Sequence, residues 1–323
     1  MSNQERIDKI VMGGTAANTL AAYRSDLRYF FGWCRIAKDM KEPVYPVPAS
    51  LVEGFVLDHI EGLDPDIDEQ LVTAGIKKAA GKHAIVTIAR RINALIWIHK
   101  IKGMPFDWDK NHLSSLISNA KRIESKAGYC PHKSEPITMP IIEAMIKKIN
   151  PRTMTGRRDR AILEFGFFSG GRRRSEIAAA EFRFLHKSGS GYLYLLHRSK
   201  TDQAGKGSIK RLRSQRAKYL TIWIQASGIK DGFIFRSIRY GRVMEQPIDP
   251  KTINRIIKSY IEAIGLDPEQ YSAHGLRRGF ITYCGQLGLP IFDVMDLTGH
   301  TDIRTFRGYY DAGSIQKNKA TKI

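Results

Sequence analysis

Acidic side chains are in short supply. The chain of 323 residues carries 32 Asp and Glu against 52 Lys and Arg, a formal net charge of +20. A surface so one-sided repels itself, and its usual counterpart is a polyanion, either a nucleic acid or an anionic membrane. Cysteine is rarer still. Cys34, Cys130 and Cys284 are odd in number and widely spaced, which excludes a disulfide framework and fits free thiols in a reduced compartment. Cys130 and His132 lie close together in GYCPHK. No second Cys/His pair stands beside them, so a loop thiol is the better reading than a zinc site. Long apolar runs are also missing. None approaches the roughly 18 residues of a membrane-spanning helix, so no membrane partner is expected. The stretch MSNQERIDKIVMGG lacks the apolar centre of a secretory signal. Of the two polyanions, nucleic acid remains, and the expected location is cytoplasmic, with the nucleoid.

What is present is ordinary globular material. Hydrophobic residues make up 42% and aromatics 10%, so a chain disordered throughout is excluded. The charge is unevenly spread. Residues 1–134 hold 19 Lys and Arg against 15 Asp and Glu, and residues 135–323 hold 33 against 17. The basic surplus, and with it a phosphate-facing surface, belongs mostly to the second part. Between the two parts, ESKAGYCPHKSEPI (124–137) mixes Gly, Pro, Ser and charge with no apolar period, as an exposed connection does. The expected organisation is a helical unit over 1–128, a linker over 129–136 and a second domain over 137–323.

The first unit reads as all helical, with four or five helices. Leu20, Tyr23, Leu27, Phe30, Phe31 and Cys34 recur at three- and four-residue steps within 15–37, a single apolar stripe that Thr15 or Asn18 would cap. Ser50 and Glu53 fit a capping box opening SLVEGFVLDHI. The acidic run 61–69 is a loop or a solvated helix start. Residues 83–101 give the strongest helix, through Ile85, Ile88, Ile92, Leu95, Ile96 and Ile98, and 111–124 fit another. Arg90, Arg91, Lys121 and Arg122 are candidate phosphate contacts, although each equally fits a solvated helix face. The four tryptophans are expected as packing anchors.

The second unit mixes periods. Helices are expected over 138–149, 156–168, 170–182, 214–227, 250–265 and 271–288, followed by two short helices around Gly299. GYLYLLHRS (191–199) alternates as a strand does, and IKRLR returns as its partner, so KTDQAGKGS forms a hairpin tip carrying Lys200 and Lys206. GFIFRS is a short extended piece. GGRRRSEI puts three arginines where a helix starts, although a helix N-terminus already carries positive partial charge. Such a stack makes sense if a phosphate sits there.

Taken in chain order, the basic half contains Arg173 three before Glu176, Lys200 at a hairpin, His274 and Arg277 one helical turn apart, His300, and Tyr309 nine residues later. That inventory suits phosphoryl transfer by a phenol. Tyrosine is a poor nucleophile because its pKa is near 10. It attacks phosphorus when cations stabilise the developing charge and a base takes its proton. Guanidinium forks match the non-bridging oxygens, a lysine can protonate the leaving 5′-oxygen, and a histidine can accept the phenol proton. With arginines in the charge-neutralising role, neither a metal nor another cofactor is required.

These motifs resemble those of the tyrosine recombinases, and the resemblance covers nearly the whole chain. GGRRRSEI resembles the family's first arginine box, implying Arg173 as catalytic, Glu176 as a supporting partner, and Arg172 and Arg174 as DNA contacts or bystanders. RSKTDQAGKG resembles the hairpin lysine segment and favours Lys200 over Lys206. HGLRRG is similar to the H-x-x-R box, implying His274 and Arg277, with Arg278 a backbone contact or solvated neighbour. TGHTDIRTFRGYY resembles the closing box and selects Tyr309 as nucleophile over its neighbour Tyr310. The implied fold is mainly α with a small β-sheet or hairpin in the second domain: a helical core-binding domain plus an α+β catalytic domain, as in two-domain members of the Cre or Xer kind. Two features depart from the pattern. Arg174 stands where many members have an apolar residue, and only about 14 residues precede the first helix, which speaks against a separate arm-binding domain. The 14 residues after Tyr309 would make any exchanged C-terminal helix short.

The implied activity is site-specific recombination of duplex DNA through a 3′-phosphotyrosyl link and a Holliday junction. The implied assembly is a homotetramer on two DNA sites, formed from a chain that is a monomer or weak oligomer when free. Two alternatives share the fold: a topoisomerase IB-like or telomere-resolving enzyme with the same cleavage, and a catalytically silent DNA-binding protein.

Overall fold

In a computed structural model the chain divides into two compact units, Met1–Pro131 and His132–Ile323. The residues described are 3–130, 134–197 and 207–314. Lys200 and Lys206 lie outside them.

The regular elements among the described residues of the first unit are all helices: α1 (Asn3–Gly14), α2 (Ala17–Ala37), α3 (Ala49–Glu61), α4 (Pro65–Thr73), α5 (Ile85–Ile101) and α6 (Lys110–Lys126). That is one or two more helices than the periodicity predicts. The additions are α1, which has no strong apolar stripe, and α4, which grows out of the acidic run behind an Asp64 N-cap. The capping expectations at α2 and α3 are corrected. α2 starts behind Ala16 and α3 behind Pro48, neither with a side-chain cap. Pro48 stops α3 from extending backwards, so Ser50 falls inside the helix. The stripe of α2 delivers Phe30 and Trp33 to a core shared with Phe55 of α3, Leu71 of α4, and Ile88 and Leu95 of α5.

A polar seam runs beside this core. His59 Nδ1 donates to the Phe55 carbonyl at 2.6 Å, leaving Nε2 to accept from the Tyr29 hydroxyl at 2.9 Å. Arg91 stacks on the Tyr29 ring, 3.2 Å from its centroid. Arg90 grips Asp26 through two hydrogen bonds of 2.8 Å. Arg91 is buried, which corrects its expected place at phosphate: its guanidinium serves the interior. Lys121 and Arg122 stay exposed on α6.

The second unit contains α7 (Met139–Lys148), α8 (Met154–Phe168), α9 (Arg174–Ala178), β1 (Leu185–Ser188), β2 (Gly191–Leu196), β3 (Ser208–Leu212), α10 (Ser214–Ser227), β4 (Arg236–Arg239), β5 (Arg242–Pro247), α11 (Pro250–Ala263), α12 (Ala273–Leu287), α13 (Ile291–Thr298) and α14 (Ile303–Ser314). β1, β2 and β3 form an antiparallel sheet in that order, and β4 and β5 form a separate hairpin. β1 and β5 add to the sequence expectation, because β1 has only four residues and β5 is mostly exposed, so neither shows a clear alternation. The core gathers Phe165 and Phe167 of α8, Tyr194 of β2, Trp223 of α10, Leu276 of α12 and Phe306 of α14. Trp223 Nε1 donates to the Ile234 carbonyl at 2.7 Å, so the anchor is satisfied as well as buried.

Candidate active site

The expected helix over 170–182 shrinks to α9, five residues long, and the cause shapes the site. Gly170 and Gly171 both have positive φ, +103° and +66°. A Cβ on Gly171 would lie 2.6 Å from the Arg277 Cα. Only glycine lets this turn pass against α12 at that point. The turn ends at Arg173, the N-cap of α9. Glu176 closes a capping box there, accepting from the Arg173 backbone at 3.1 Å and from its Nη1 at 2.6 Å. Arg173 is thereby held at the surface end of a short helix, still partly exposed.

Arg277 enters from α12. Ser272 caps that helix and Gly288 stops it in a left-handed conformation. The Arg277 side chain is buried. Its Nη1 donates to the Gly171 carbonyl at 3.2 Å, and its Nη2 lies 3.1 and 3.3 Å from the two ring nitrogens of His300. His300 follows α13 directly after Gly299, whose φ of +72° ends the helix. The Thr298 hydroxyl donates to the Val294 carbonyl and lies 2.8 Å from His300 Nδ1. Arg277 can only donate, so the neutral ring offers it a lone pair on one nitrogen, and the Thr298 hydroxyl holds the Nδ1 edge. His274, one turn before Arg277, is exposed and close enough to influence His300.

The electrostatics are those of a site with too much positive charge. Burial, then Arg173 and Arg172, push Arg277 down to about 9. Burial, then Arg277, Arg173, His274 and Arg172, push His300 down to about 3, so its imidazole is neutral at physiological pH. Glu176 is the one buried carboxylate in this group. An anion would relieve the imbalance.

Arg173, Glu176, His274, Arg277 and His300 therefore come together. Tyr309 lies on α14 in the same unit. Its backbone carbonyl accepts from Thr282 Oγ1 at 3.1 Å, and its half-buried ring lies 4.7 Å from the Arg278 guanidinium carbon. Arg278 also donates to the Ser134 carbonyl. Tyr310 differs from its neighbour: it is buried, its ring stacks on Phe306, and its hydroxyl donates to the Leu289 carbonyl. Arg174 is exposed. Arg172 is corrected as a DNA contact. It is 1% exposed, and its Nη2 donates to the Gly170 and Leu297 carbonyls at 2.9 and 2.6 Å. Two participants escaped the sequence reading, Thr298 and Lys210. The β3 alternation offered a signal for Lys210, because it shares a face with Leu212.

Comparisons with known proteins agree with this architecture. Over 312 residues the chain is 25% identical to an integrase/recombinase XerD homologue of Selenomonas ruminantium, covering 94% of this chain and 84% of that one. It is 23% identical to tyrosine recombinase XerD of Listeria monocytogenes over 93% of this chain and 90% of the relative. Among solved structures, a XerH site-specific recombinase in a post-cleavage complex with its palindromic substrate matches with a TM-score of 0.61 and 14% identity, covering 94% of this chain and 79% of that one. The Tn1549 transposon integrase with transposon right-end DNA matches with a TM-score of 0.56 and 15% identity, covering 97% and 96%. The fold, mainly helical with small antiparallel sheets, is that of the tyrosine recombinases. The phage integrase family model matches residues 138–314, more than half the chain, and the chain belongs to that family, as a tyrosine site-specific recombinase.

Proposed function

We propose that this protein cleaves and rejoins duplex DNA at a specific site, with Tyr309 as the nucleophile. The phenolate oxygen attacks the scissile phosphorus and the P–O5′ bond breaks. The products are a 3′-phosphotyrosyl link and a free 5′-hydroxyl. A 5′-hydroxyl from the partner duplex then attacks the link and releases the phenol. One P–O bond is exchanged for another at each step, so no external energy source enters. Arg173 and Arg277 clamp the non-bridging oxygens, and Lys200 protonates the leaving 5′-oxygen. His274 and His300 serve the proton of the phenol and the orientation of the phosphate. Two rounds of exchange in a tetramer on two sites pass through a Holliday junction.

The observation that carries this reading is the Arg173–Arg277–His300 cluster. Two arginines, one of them buried, and a neutral histidine face a single buried carboxylate, which is an arrangement made for a phosphate diester. The environment of Tyr310, a packed ring with a committed hydroxyl, favours Tyr309 as the attacking phenol. The test is incubation with nicked suicide duplexes and denaturing electrophoresis. Wild type and Tyr310→Phe should form a covalent protein–DNA species, and Tyr309→Phe should form none. Undiminished trapping by Tyr309→Phe would overturn the assignment. A two-site substrate distinguishes recombinants from the relaxed circles or hairpins of the rival chemistries.

A further inference from the structure

At one step of strand β3 an apolar and a charged residue are the wrong way round. Ile209 is 65% exposed, whereas Lys210 is 1% exposed, on the same face as Leu212 and opposite Tyr194 in the ladder. Giving an isoleucine to water and carrying an ammonium inside costs free energy on both counts. The buried Nζ donates to the Asp296 carbonyl at 2.9 Å. Arg172, arriving from the glycine turn before α9, donates to the next carbonyl along, Leu297, at 2.6 Å. Its Nε has no partner among the described residues.

The carbonyls of residues 296 and 297 belong to the last turn of α13. Helix ends of this kind leave acceptors with partial negative charge only partly satisfied; the Asp296 carbonyl also accepts from the Gly299 amide, at 3.1 Å. The amides of Gly299 and His300 both fold back on the Met295 carbonyl, at 2.7 and 3.0 Å. The His300 ring is therefore suspended from a helix end that two cations hold from different elements.

We propose that Arg172 and Lys210 are positioning residues that grip the C-terminal carbonyls of α13 and so fix where His300 stands against Arg277. Burial first, then the Arg172 and Arg277 charges, holds the Lys210 ammonium down at about 8, while Asp296 and Glu176 pull the other way. Such a cluster is not what stability alone selects, because replacing buried ions by apolar side chains of similar size is often neutral or stabilising. Its value lies in a fixed helix end, and through that end in the geometry offered to a phosphate. The inference rests on the role proposed above for Arg277 and His300.

The experiment compares full-length wild type with Lys210→Met, Lys210→Gln and Arg172→Leu. Four quantities are read: thermal midpoint, amide exchange at Gly299 and His300, duplex affinity, and the single-turnover rate of covalent trapping on a nicked duplex. Lys210→Met should melt at or above the wild-type temperature; Arg172→Leu, which takes one of two cations from the buried Glu176 carboxylate, should melt below it; both should bind duplex within threefold of wild type. They should exchange at Gly299 and His300 at least tenfold faster and cleave at least tenfold more slowly. Lys210→Gln keeps a donor for the Asp296 carbonyl and should recover most of the protection and the rate. Unchanged exchange at the two amides overturns the proposal, as does equal slowing by Gln and Met, or failure of both apolar variants to fold. If wild type itself forms no adduct, the proposed function falls, and amide exchange still decides whether the grip exists.

Discussion

At the scale of single residues, burial decides what each charged group can do. Five arginines stand in GGRRRSEI and HGLRRG. The fold gives them separate work: Arg173 at a helix cap, Arg277 on His300, Arg278 over the Tyr309 ring, Arg172 inside, and Arg174 in solvent. Histidines are sorted in the same way. Burial, first among the causes, takes His59 down to about 4 and both His83 and His300 down to about 3. In the unfolded chain these groups return to the ordinary value near 6.5. Between pH 6.5 and about 3 the unfolded state therefore binds more protons, so stability is complete above 6.5 and lost progressively as pH falls. Urea midpoints should decline steadily from pH 7 to pH 4. His59→Gln, which removes one of the three groups, should shallow that decline. A midpoint independent of pH over this range would show that the imidazoles are not buried as described.

At the scale of elements, α14 is the piece on which the placement of the proposed nucleophile depends. Its amphipathic face sets Phe306 at 0% exposure between the His300 ring, 5.3 Å away edge-on, and the Tyr310 ring, 5.7 Å away and stacked. Thr282 of α12 ties the same helix through the Tyr309 carbonyl. Phe306→Ala removes the wedge shared by His300 and Tyr310. A buried Phe→Ala change costs about 3–5 kcal/mol, which chemical denaturation should register, and trapping by the folded fraction should slow as well. Full stability with full trapping would mean that α14 is held elsewhere. The short element α9 teaches a complementary lesson. Its sequence has helix-compatible residues on both sides, yet two glycines at positive φ and the crossing with α12 confine it to five residues. No local propensity encodes that crossing.

At the scale of the whole molecule, the +20 charge governs how the protein meets its proposed partner. Phosphate neutralisation releases counterions. A protomer engaging about six phosphates should lose roughly 10³-fold in duplex affinity between about 50 and 200 mM salt. Binding isotherms across that range check this, and a flat response would remove DNA backbone contact from the account. The division into Met1–Pro131 and His132–Ile323 falls in the stretch where apolar periodicity lapses. Within each unit the strongly periodic helices were legible because a buried stripe repeats every turn; α11, Pro250–Ala263, buries Ile253, Ile256, Ile257 and Ile261 and lies within its expected span of 250–265. The weakly patterned α1, β1 and β5 were not legible, because partial exposure leaves no such repeat.

The sequence by itself determined the chemistry available: an arginine, histidine and tyrosine inventory at recognisable spacings, a basic second half, and helices whose stripes demand a core. Those are properties of residue type and order, and they survive without coordinates. Tertiary structure decided which cation meets which partner. Lys210 turned inward and Arg172 became a brace for α13 only because β3, the glycine turn and the end of α13 meet at one place. That meeting is made by contacts between residues as far apart in the chain as 172 and 297, and pairings at such separation leave no trace in local pattern.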